Sequence, residues 1–521
     1  MIKLSDWNGQ VVAGAGTPQT TADNTRLLVV LNNERIIWLL SAVLFGVSVL
    51  VAFLTKNTYD SGDSILHFLF ARYVPQHPEN LLDPWAKPVF TLLAALPSQG
   101  GFLGMKLFQC VVVAGSARLA YVVARQLQLP WPALAILFCY AAPDYFRIQF
   151  SGLTEPTFGL VLVAAVALAV TNRPVWSAAV ISFLPFVRSE GAMFLSIWTL
   201  YLVWNRSWRA LPLLLLGYAV FSFVGGLILG DFTWVFSKNP YGLHSQYGHG
   251  LWGRFVENIP TLLGWPLTIF SIIGGLRMLW RATKLKEWLQ PLFRAEMFLI
   301  YGSIVAFIII QSVFWALGLF GSFGMTRVLA VLTPLFAVAA LSGLTWLSQL
   351  GGGMRVRRLI VAAGAVSVVF LLFSEDYAFR ADSGTGVGWR STLNWNRDFQ
   401  EGTDMVLADK AAAWLKHHDP GYEWHPISFS HLYFALPMNV DIFNLEAKPA
   451  LTKDYAPYLD GVPVGTYIYW DGWFCPVESH LPLELLQKDA RFKQLWRDSI
   501  PMDLSNPTGI SFHSIIFEKV Q

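Results

Sequence analysis

Two carboxylates and a histidine lie close together in residues 60–74, which read DSGDSILHFLFARYV. Asp60 and Asp63 are three residues apart, and His67 follows four residues after the second acid. A carboxylate held at a membrane–water boundary can take a proton from a hydroxyl or amide group, which is general base chemistry. The structural alternative is that Asp60 caps the helix that follows while Asp63 complements its dipole. The residues alone leave both interpretations open.

Two further polar segments interrupt the apolar sequence. Lys87 lies in the turn 83–88, and Arg188 precedes Ser189 and Glu190 between two apolar runs. Ionisable residues at membrane depth are costly and are usually functional or paired. Arg188 therefore either pairs with Glu190 in a simple turn or contacts a lipid-linked phosphate. The same two interpretations apply to three other charged residues, Asp144, Arg147 and Glu155. Glu155 lies inside an apolar run, and a further interpretation makes it an acceptor-site residue or a second acid.

The segment 230–260 interleaves basic and aromatic residues with glycines, and no carboxylate occurs between Asp231 and Glu257. Phosphate groups need cationic donors, and sugars stack on aromatic faces. The basic and aromatic residues of this segment include Lys238, Tyr241, His244, His249 and Arg254, and Arg327 opens a later apolar run. The alternative is an ordinary interfacial loop anchored by aromatic residues and contacts with lipid headgroups. Metal ligation by the two histidines is weakly indicated, because no third ligand lies nearby.

Composition places these residues in a membrane protein. The chain has 521 residues, of which 54% are hydrophobic and only 14% charged, whereas soluble proteins carry about 25% charged residues. The 22 Trp and 38 Phe are typical of lipid-facing and interfacial surfaces. The net charge of +3 gives no reason to expect a nucleic acid partner. The three cysteines form neither a disulfide framework nor a metal-ligand spacing.

Apolar runs predict about eleven membrane-spanning helices, since a span needs roughly 20 apolar residues. They are predicted at 36–54, 104–124, 129–143, 153–171, 175–187, 191–204, 210–229, 261–280, 296–317, 326–347 and 358–374. The Lys and Arg clusters fall in alternate loops, so the positive-inside rule places the N-terminus in the cytoplasm and the C-terminus outside. Residues 1–35 contain no signal peptide and are interpreted as a cytoplasmic tail.

The predicted organisation therefore has three parts. A tail, 1–35, precedes a membrane domain, 36–374, whose external loops are 55–103 and 230–260. Residues 60–74 and 89–96 are predicted to form amphipathic helices on the membrane surface. Residues 375–521 predict a small α/β domain outside the membrane, with strands at 427–430, 466–470 and 513–518 and helices within 401–419 and 483–498. Asp471, which ends the second strand, is either a catalytic acid or a turn residue.

This arrangement resembles the GT-C superfamily of glycosyltransferases. The resemblance is carried by the Asp60–Asp63 motif after the first span and by two surface helices in that loop. Three further features contribute to the resemblance: a module of about seven spans, a large loop between the seventh and eighth spans, and an external C-terminal domain. The superfamily includes the protein O-mannosyltransferases, the aminoarabinose transferases of lipid A and the arabinofuranosyltransferases. The resemblance implies an all-α polytopic membrane domain of about eleven helices with a small extracytoplasmic α/β domain.

The resemblance also implies a function. It predicts inverting transfer of a sugar from a polyprenyl-phosphate-linked donor to an acceptor that is a protein, a lipid or a polysaccharide. Asp63, or alternatively Asp60, would be the base. The residues expected to bind substrate are His67, Lys87, Arg188, Glu190, Lys238, Tyr241, His244, His249, Arg254 and Arg327. No cofactor besides the donor is predicted, a divalent metal is left open, and a bacterial inner membrane is the expected location.

Two other functions fit a polytopic chain. A transporter or flippase of lipid-linked solutes often has duplicated halves with charged or broken spans in matching positions, and no such duplication is found. A non-catalytic envelope scaffold would bind a partner through its external domain and would not need acids and bases gathered on one face.

Overall fold

The structure is a computed structural model that describes two parts of the chain. The first comprises residues 34–373 except 239 and 246. The second comprises residues 393, 395, 399–422, 425, 427–429, 432–443, 459–477, 479–501 and 511–521. The predicted tail 1–35 lies outside the described residues except for its last two positions, as does the start of the predicted external domain. The described part of the membrane domain is helical throughout.

Eighteen α-helices form the membrane domain within residues 34–373. They are α1 (Glu34–Leu54), α2 (Asp63–Arg72), α3 (Pro88–Ser98), α4 (Gly101–Gln126), α5 (Leu134–Tyr140), α6 (Pro143–Ile148), α7 (Glu155–Val170), α8 (Pro174–Ile181), α9 (Ala192–Trp204), α10 (Leu216–Leu229), α11 (Trp234–Ser237), α12 (Arg254–Glu257), α13 (Ile259–Leu263), α14 (Trp265–Ala282), α15 (Pro291–Ala295), α16 (Ser303–Leu317), α17 (Thr333–Gln349) and α18 (Met354–Phe373). Short 3₁₀ segments connect several of them at Pro78–Leu82, Leu184–Phe186, Ser189–Gly191, Trp208–Leu215, Leu285–Leu289 and Thr326–Leu332. A π-helix, Glu296–Gly302, joins α15 to α16.

Proline and glycine set many helix ends. Proline occupies the first turn of α3, α6, α8, α14 and α17, where its fixed φ suits a helix and its missing N–H costs nothing. Gly230 and Gly318 end α10 and α16 in the left-handed conformation that glycine adopts without strain. Gly264 has φ 74° and separates α13 from α14, where the chain bends by 120°. These residues mark local boundaries that the apolar runs alone do not show.

The chain is a multi-pass membrane protein. Among the residues that the structure describes, five helices are long and apolar enough to cross a bilayer: Glu34–Leu54, Gly101–Gln126, Trp208–Leu229, Pro291–Leu317 and Thr326–Gln349. A sixth is added if the bent pair Arg254–Leu263 and Trp265–Ala282 counts as one span. The predicted count of eleven is not confirmed. The predicted third span, 129–143, contains only the seven-residue helix α5, far short of the roughly 20 residues that a span needs.

Four strands form the sheet of the C-terminal domain. They are β1 (Ile427–Phe429), β2 (Tyr467–Asp471), β3 (Phe492–Pro501) and β4 (Ser511–Lys519), in the order β1-β2-β4-β3. β1 pairs with β2 in parallel, and the other two pairings are antiparallel. The domain also contains α19 (Thr403–His418), α20 (Ala435–Met438), α21 (Phe474–Val477) and α22 (Leu483–Lys488), with a 3₁₀ helix at Leu432–Phe434. The coarse α/β prediction agrees with this domain.

The predicted helix 483–498 is wrong over its second half. α22 ends at Lys488, and residues from Phe492 onward form β3 instead. β3 pairs with β4 along nearly its whole length, from Phe492 opposite Lys519 to Pro501 opposite Ser511. The hydrogen bonds of this ladder outweigh the local helical tendency, which is a weak prior.

The loop that carries Asp60 and Asp63 is anchored by buried hydrogen bonds. Ser64 donates to the carbonyl oxygen of Thr58 at 2.7 Å and accepts the N–H of Gly152 at 2.8 Å. Lys106, on α4, donates to the carbonyl oxygen of Thr55 at 2.9 Å. These bonds fix the loop against α4 and against the segment that leads into α7.

One hydrophobic cluster joins the start of the membrane domain to the C-terminal domain. It includes Ile65, Phe68 and Leu69 of α2, all at most 1% exposed, together with residues of α3, α4, α19 and the 3₁₀ helix Leu432–Phe434. Full burial of such a side chain contributes about 1.5–3 kcal/mol. α2 is therefore packed between two domains and does not lie free on a membrane surface.

Gly152 tests the anchoring of the acidic loop. A Cβ at this position would lie 2.0 Å from the carbonyl oxygen of Ser64, so Gly152→Ala must displace one of the two segments. We expect a destabilisation of about 1–3 kcal/mol, as for other overpacked sites, measured as a lower melting temperature in detergent. Gly46→Ala is the control, because its Cβ would meet nothing within 4 Å. Equal melting temperatures for the two variants would contradict this packing.

Candidate active site

Asp60 shapes the loop that begins α2. One carboxylate oxygen of Asp60 accepts the backbone N–H of Gly62 at 2.6 Å and that of Ser64 at 3.4 Å. Asp63 is the first residue of α2. The preceding Tyr59 has φ 69°, a conformation that non-glycine residues rarely adopt. Asp60 therefore has the capping contacts that the sequence suggested as one alternative, and it also has a charged partner.

Arg327 bridges the two acids. Its Nη1 donates to Asp60 and its Nη2 donates to Asp63, although these residues are more than 260 positions apart in the chain. Arg327 lies in the 3₁₀ turn Thr326–Leu332 that leads into α17. The Asp60 side chain is 19% exposed and the Asp63 side chain 47%. Both carboxylate oxygens of Asp60 thus have partners, whereas about half of the Asp63 side chain is exposed.

Glu155 connects this pair of acids to Arg188. It is fully buried at the start of α7, with one carboxylate oxygen 2.9 Å from Nη1 of Arg188 and 3.7 Å from Nε of Arg327. Arg188 also donates to Thr154 at 3.1 Å and to Glu190 at 3.0 Å. Removing one partner of a buried ion pair costs about 3–5 kcal/mol, because the other charge stays uncompensated. Asp60, Asp63, Arg327, Glu155, Arg188 and Glu190, six charged groups, therefore form one connected network.

Lys87 lies beside this network. Its Nζ donates to the hydroxyl of Tyr241 at 2.8 Å and to that of Ser189 at 3.3 Å. The backbone at Lys87 has φ 68°, directly before the proline that opens α3. Strained conformations of this kind cluster at functional sites. Burial lowers the pKa of Lys87 to about 8, although the nearby carboxylate of Glu190 opposes the shift.

The charged residues in this region shift one another's pKa values. Burial alone would raise the pKa of Glu190, but Arg188 and Lys87 outweigh it and hold the pKa below its usual value. Burial would likewise lower the pKa of Arg188, but Glu155 and Glu190 raise it instead. Burial and the adjacent Lys87 charge hold the pKa of His67 well below its usual value, so its imidazole is neutral.

His67 packs beneath the site. It is 5% exposed and stacks on Trp85 with a centroid distance of 4.6 Å, and the Phe90 ring meets its edge at 5.6 Å. These contacts place His67 between α2 and the turn that contains Lys87. Its predicted contact with substrate stays a prediction, while its packing supports the position of Lys87.

The structure does not bring the other residues of loop 230–260 into this network. Lys238, His244 and His249 are exposed, and no hydrogen bond or ion pair is recorded for their side chains among the described residues. Arg254 donates to the carbonyl oxygen of Gly324 at 2.5 Å, and its guanidinium lies 5.7 Å from the Trp315 ring centroid. Tyr241 is the one loop candidate that reaches the site, through Lys87.

The carboxylates of the site face an arginine. Arg327 lies between Asp60 and Asp63 and pairs with both carboxylates. Across the described residues, no group of three or more His, Cys, Asp or Glu side chains could hold a metal ion. The donor set present here therefore fits a guanidinium better than the divalent metal that the sequence left open.

The sequence indicated Glu155 as an acceptor-site residue or second acid, whereas it gave no role to Tyr59. Glu155 stands inside an apolar run after Thr154, and that isolated acid was its only signal. Tyr59 donates to Asp144 at 2.9 Å, and Asp144 also accepts Arg147 at 2.7 Å. Nothing in the sequence around Tyr59 pointed to this contact, which packs a second ion pair behind the acidic loop.

The arrangement combines the two parts needed for group transfer. Asp63 is an open carboxylate that can accept a proton, and its neighbour Asp60 is fixed by backbone and arginine contacts. Lys87 is a buried cation and Arg188 a partly buried one, and both can bind an anionic group by charge-assisted hydrogen bonds. Arg327 and Glu155 connect the two acids to Arg188, and Lys87 lies beside them.

Comparison with known proteins identifies the fold. No protein-family model matches the sequence, and neither does any curated protein. The apo crystal structure of ArnT from Cupriavidus metallidurans is similar with a TM-score of 0.56 and 12% identity, covering 92% of this chain and 98% of that one. The apo oligosaccharyltransferase of Archaeoglobus fulgidus is similar with a TM-score of 0.50 and 11% identity, covering 92% of this chain and 74% of that one.

A crystal structure of the same Cupriavidus enzyme bound to undecaprenyl phosphate is similar with a TM-score of only 0.40 and 14% identity, covering 68% of this chain and 66% of that one. The fold assignment depends on the two apo structures, which match over nearly the whole chain. The chain therefore has the fold of the GT-C glycosyltransferases, as the resemblance in its sequence indicated.

Proposed function

We propose that this protein is an integral membrane glycosyltransferase that moves a sugar from a polyprenyl-phosphate-linked donor to an extracytoplasmic acceptor, with inversion. The observation that carries the proposal is the pair of carboxylates on Arg327, connected through Glu155 to the partly buried cation Arg188. The buried cation Lys87 lies beside this network, where it donates to Ser189 and Tyr241. The GT-C fold supports it, since the similar structures are membrane glycosyltransferases.

Asp63 is the proposed base. Its side chain is 47% exposed, whereas that of Asp60 is 19% exposed and accepts two backbone N–H groups. A base must have a free side toward the acceptor and lie within hydrogen-bond reach of the proton it takes. Asp60 instead fixes the loop and shares the charge of Arg327, so we assign it the role of holding Asp63.

The leaving phosphate is assigned to Lys87 and Arg188. Lys87 is a buried cation and Arg188 a partly buried one, and the hydroxyls of Tyr241 and Ser189 lie within 3.3 Å of the Lys87 amine. Fixed cations placed where negative charge develops lower the barrier most in a site that excludes water. In this account the exposed residues Lys238, His244 and His249 are not the groups that hold the phosphate during transfer.

The reaction balances with the groups named. The acceptor O–H (or amide N–H) passes its proton to Asp63, while its heavy atom forms a bond to the anomeric carbon. The bond between that carbon and the phosphate oxygen breaks, and its electron pair leaves with the polyprenyl phosphate. Attack opposite the leaving group inverts the anomeric centre. A lipid-linked donor reaching such a site from the bilayer is consistent with a bacterial inner membrane enzyme whose C-terminal domain is periplasmic.

Asp63→Asn tests the base. We expect kcat to fall by about 10²–10⁴-fold, the usual contribution of a general base, while the donor Kd changes little because Arg188 and Lys87 remain. The measurement is release of polyprenyl phosphate from a panel of lipid-linked sugars by protein in nanodiscs, with donor binding measured in parallel. The panel also separates a transferase from a transporter, since a transporter would release none.

Asp460→Asn is the matched control for this experiment. Asp460 also pairs with an arginine, Arg491, at 2.6 Å, but its side chain is 78% exposed in the C-terminal domain. It should transfer sugar at the wild-type rate. Full activity in Asp63→Asn and in Asp60→Asn, singly and combined, would rule out the proposed base.

The ionisation of Lys87 predicts a pH dependence. Its pKa of about 8 means that the amine is charged below pH 8 and neutral above it. Because binding of the donor phosphate needs the charge, kcat/KM for the donor should fall as the pH rises through about 8. Lys87→Met should show a low kcat/KM, about tenfold or more below wild type, without this step. A wild-type profile that stays flat between pH 7 and 9.5 would count against Lys87 as the phosphate ligand.

A further inference from the structure

The C-terminal domain contacts the acidic loop where the loop leaves α1. The hydroxyl of Thr55 donates to the carbonyl oxygen of Phe399 at 2.9 Å, and the N–H of Lys56 donates to the same oxygen at 3.3 Å. The Phe399 ring packs against Phe150 with a centroid distance of 5.9 Å. Thr55 is 5% exposed, so this contact is buried. The chain just before α19 thus fixes the first residues of the loop.

A second contact holds the far end of the loop. The segment 439–443 of the C-terminal domain, here called the strap, lies against the end of α2. Arg72 donates to Asn439 at 2.9 Å, and Nε2 of His77 lies 2.9 Å from a carboxylate oxygen of Asp441. The ring of Phe443 packs against that of Phe70, with a centroid distance of 4.8 Å.

The strap is itself ordered by Asp441. The other carboxylate oxygen of Asp441 accepts the N–H of Phe443 at 2.9 Å, so one side chain shapes the strap and binds His77. Between the two contacts, the buried face of α2 packs in the same hydrophobic cluster as Tyr433 and Phe434. The C-terminal domain therefore contacts the acidic loop at its start, along α2 and beyond the end of α2.

We propose that the C-terminal domain is a positioning element of the transferase site, and that Thr55 and Asp441 are positioning residues for Asp60 and Asp63. This inference rests on the proposed function. The two acids lie between the anchored ends, in an irregular turn and the first residue of α2. A displacement of about 1 Å in a reacting group can cost 10²-fold in rate, and loops keep such a geometry only when their ends are held.

The geometry predicts an effect on kcat rather than on donor affinity. Arg188 lies between α8 and α9, and its partners Thr154 and Glu155 lie at the start of α7. Among the described residues, no hydrogen bond or ion pair made by Arg188 itself involves α2 or the strap. Loosening the acidic loop should therefore misplace the base while leaving Arg188, one of the two cations assigned to the donor phosphate, in position.

Matched pairs of variants test the inference. Thr55→Val removes the hydroxyl at nearly constant volume, and Thr55→Ser keeps it. Asp441→Ala removes both hydrogen bonds of the strap, and Asp441→Asn keeps acceptor and donor atoms in place. We expect kcat to fall about tenfold to a hundredfold in the first member of each pair, with the donor KM within twofold of wild type. The conservative members should retain most of the activity.

Amide hydrogen exchange provides a readout that does not need activity. Residues 60–77 should exchange faster in Thr55→Val and Asp441→Ala than in wild type. Lys410→Ala is the control, because it breaks an exposed ion pair of 2.9 Å with Asp498 inside the C-terminal domain, away from the loop. It should change neither the exchange of residues 60–77 nor kcat.

The outcomes separate this inference from the proposed function. Wild-type protein that transfers no sugar would contradict the proposed function. The hydrogen-exchange data would then still test whether the C-terminal domain holds residues 60–77 in place. Active wild-type protein whose kcat and loop exchange are unchanged in Thr55→Val and Asp441→Ala would overturn the inference. Equal losses of kcat in these variants and in Lys410→Ala would also overturn it, since they would indicate a general loss of folding.

Discussion

The pairing of Arg327 with Asp60 and Asp63 is the constraint on which the site depends. It brings the start of α17 to the loop after α1 and fixes two acids that would otherwise repel each other. Glu155 extends the pairing to Arg188, so that elements from four parts of the chain share one buried set of charges. Burying these groups is tolerable only because each has a partner of opposite sign.

The charge balance of this network determines how it can bind a phosphate. Asp60, Asp63, Glu155 and Glu190 face three cations, Arg327, Arg188 and Lys87, so the described network carries no positive excess. A donor phosphate must therefore be held by direct, well-oriented hydrogen bonds rather than by net charge. In the proposed function, phosphate binding therefore depends on the protonation of Lys87. The hydrogen bonds of its amine to Tyr241 and Ser189 orient the charge.

The sequence located the acidic loop and the Arg188–Glu190 pair because charges in apolar surroundings are conspicuous. It could not show that Arg327 is the partner of the acids, since that contact joins distant positions. The loop 230–260 has the basic and aromatic composition expected of a phosphate site. Its residues Lys238, His244 and His249 are nevertheless exposed. The second half of the helix predicted at 483–498 is instead part of β3, which pairs with the next strand, β4. Local sequence patterns identified the charged residues, and the tertiary contacts determine which of these residues lie close together.

A structure of the protein with a polyprenyl-phosphate sugar bound would test the central claim most directly. The account predicts that the phosphate lies within hydrogen-bond distance of the Lys87 amine and the Arg188 guanidinium. It also predicts that the anomeric carbon faces the open side of Asp63, with Arg327 still between the two acids. A phosphate held instead by Lys238, His244 or His249, with the sugar away from Asp63, would contradict it.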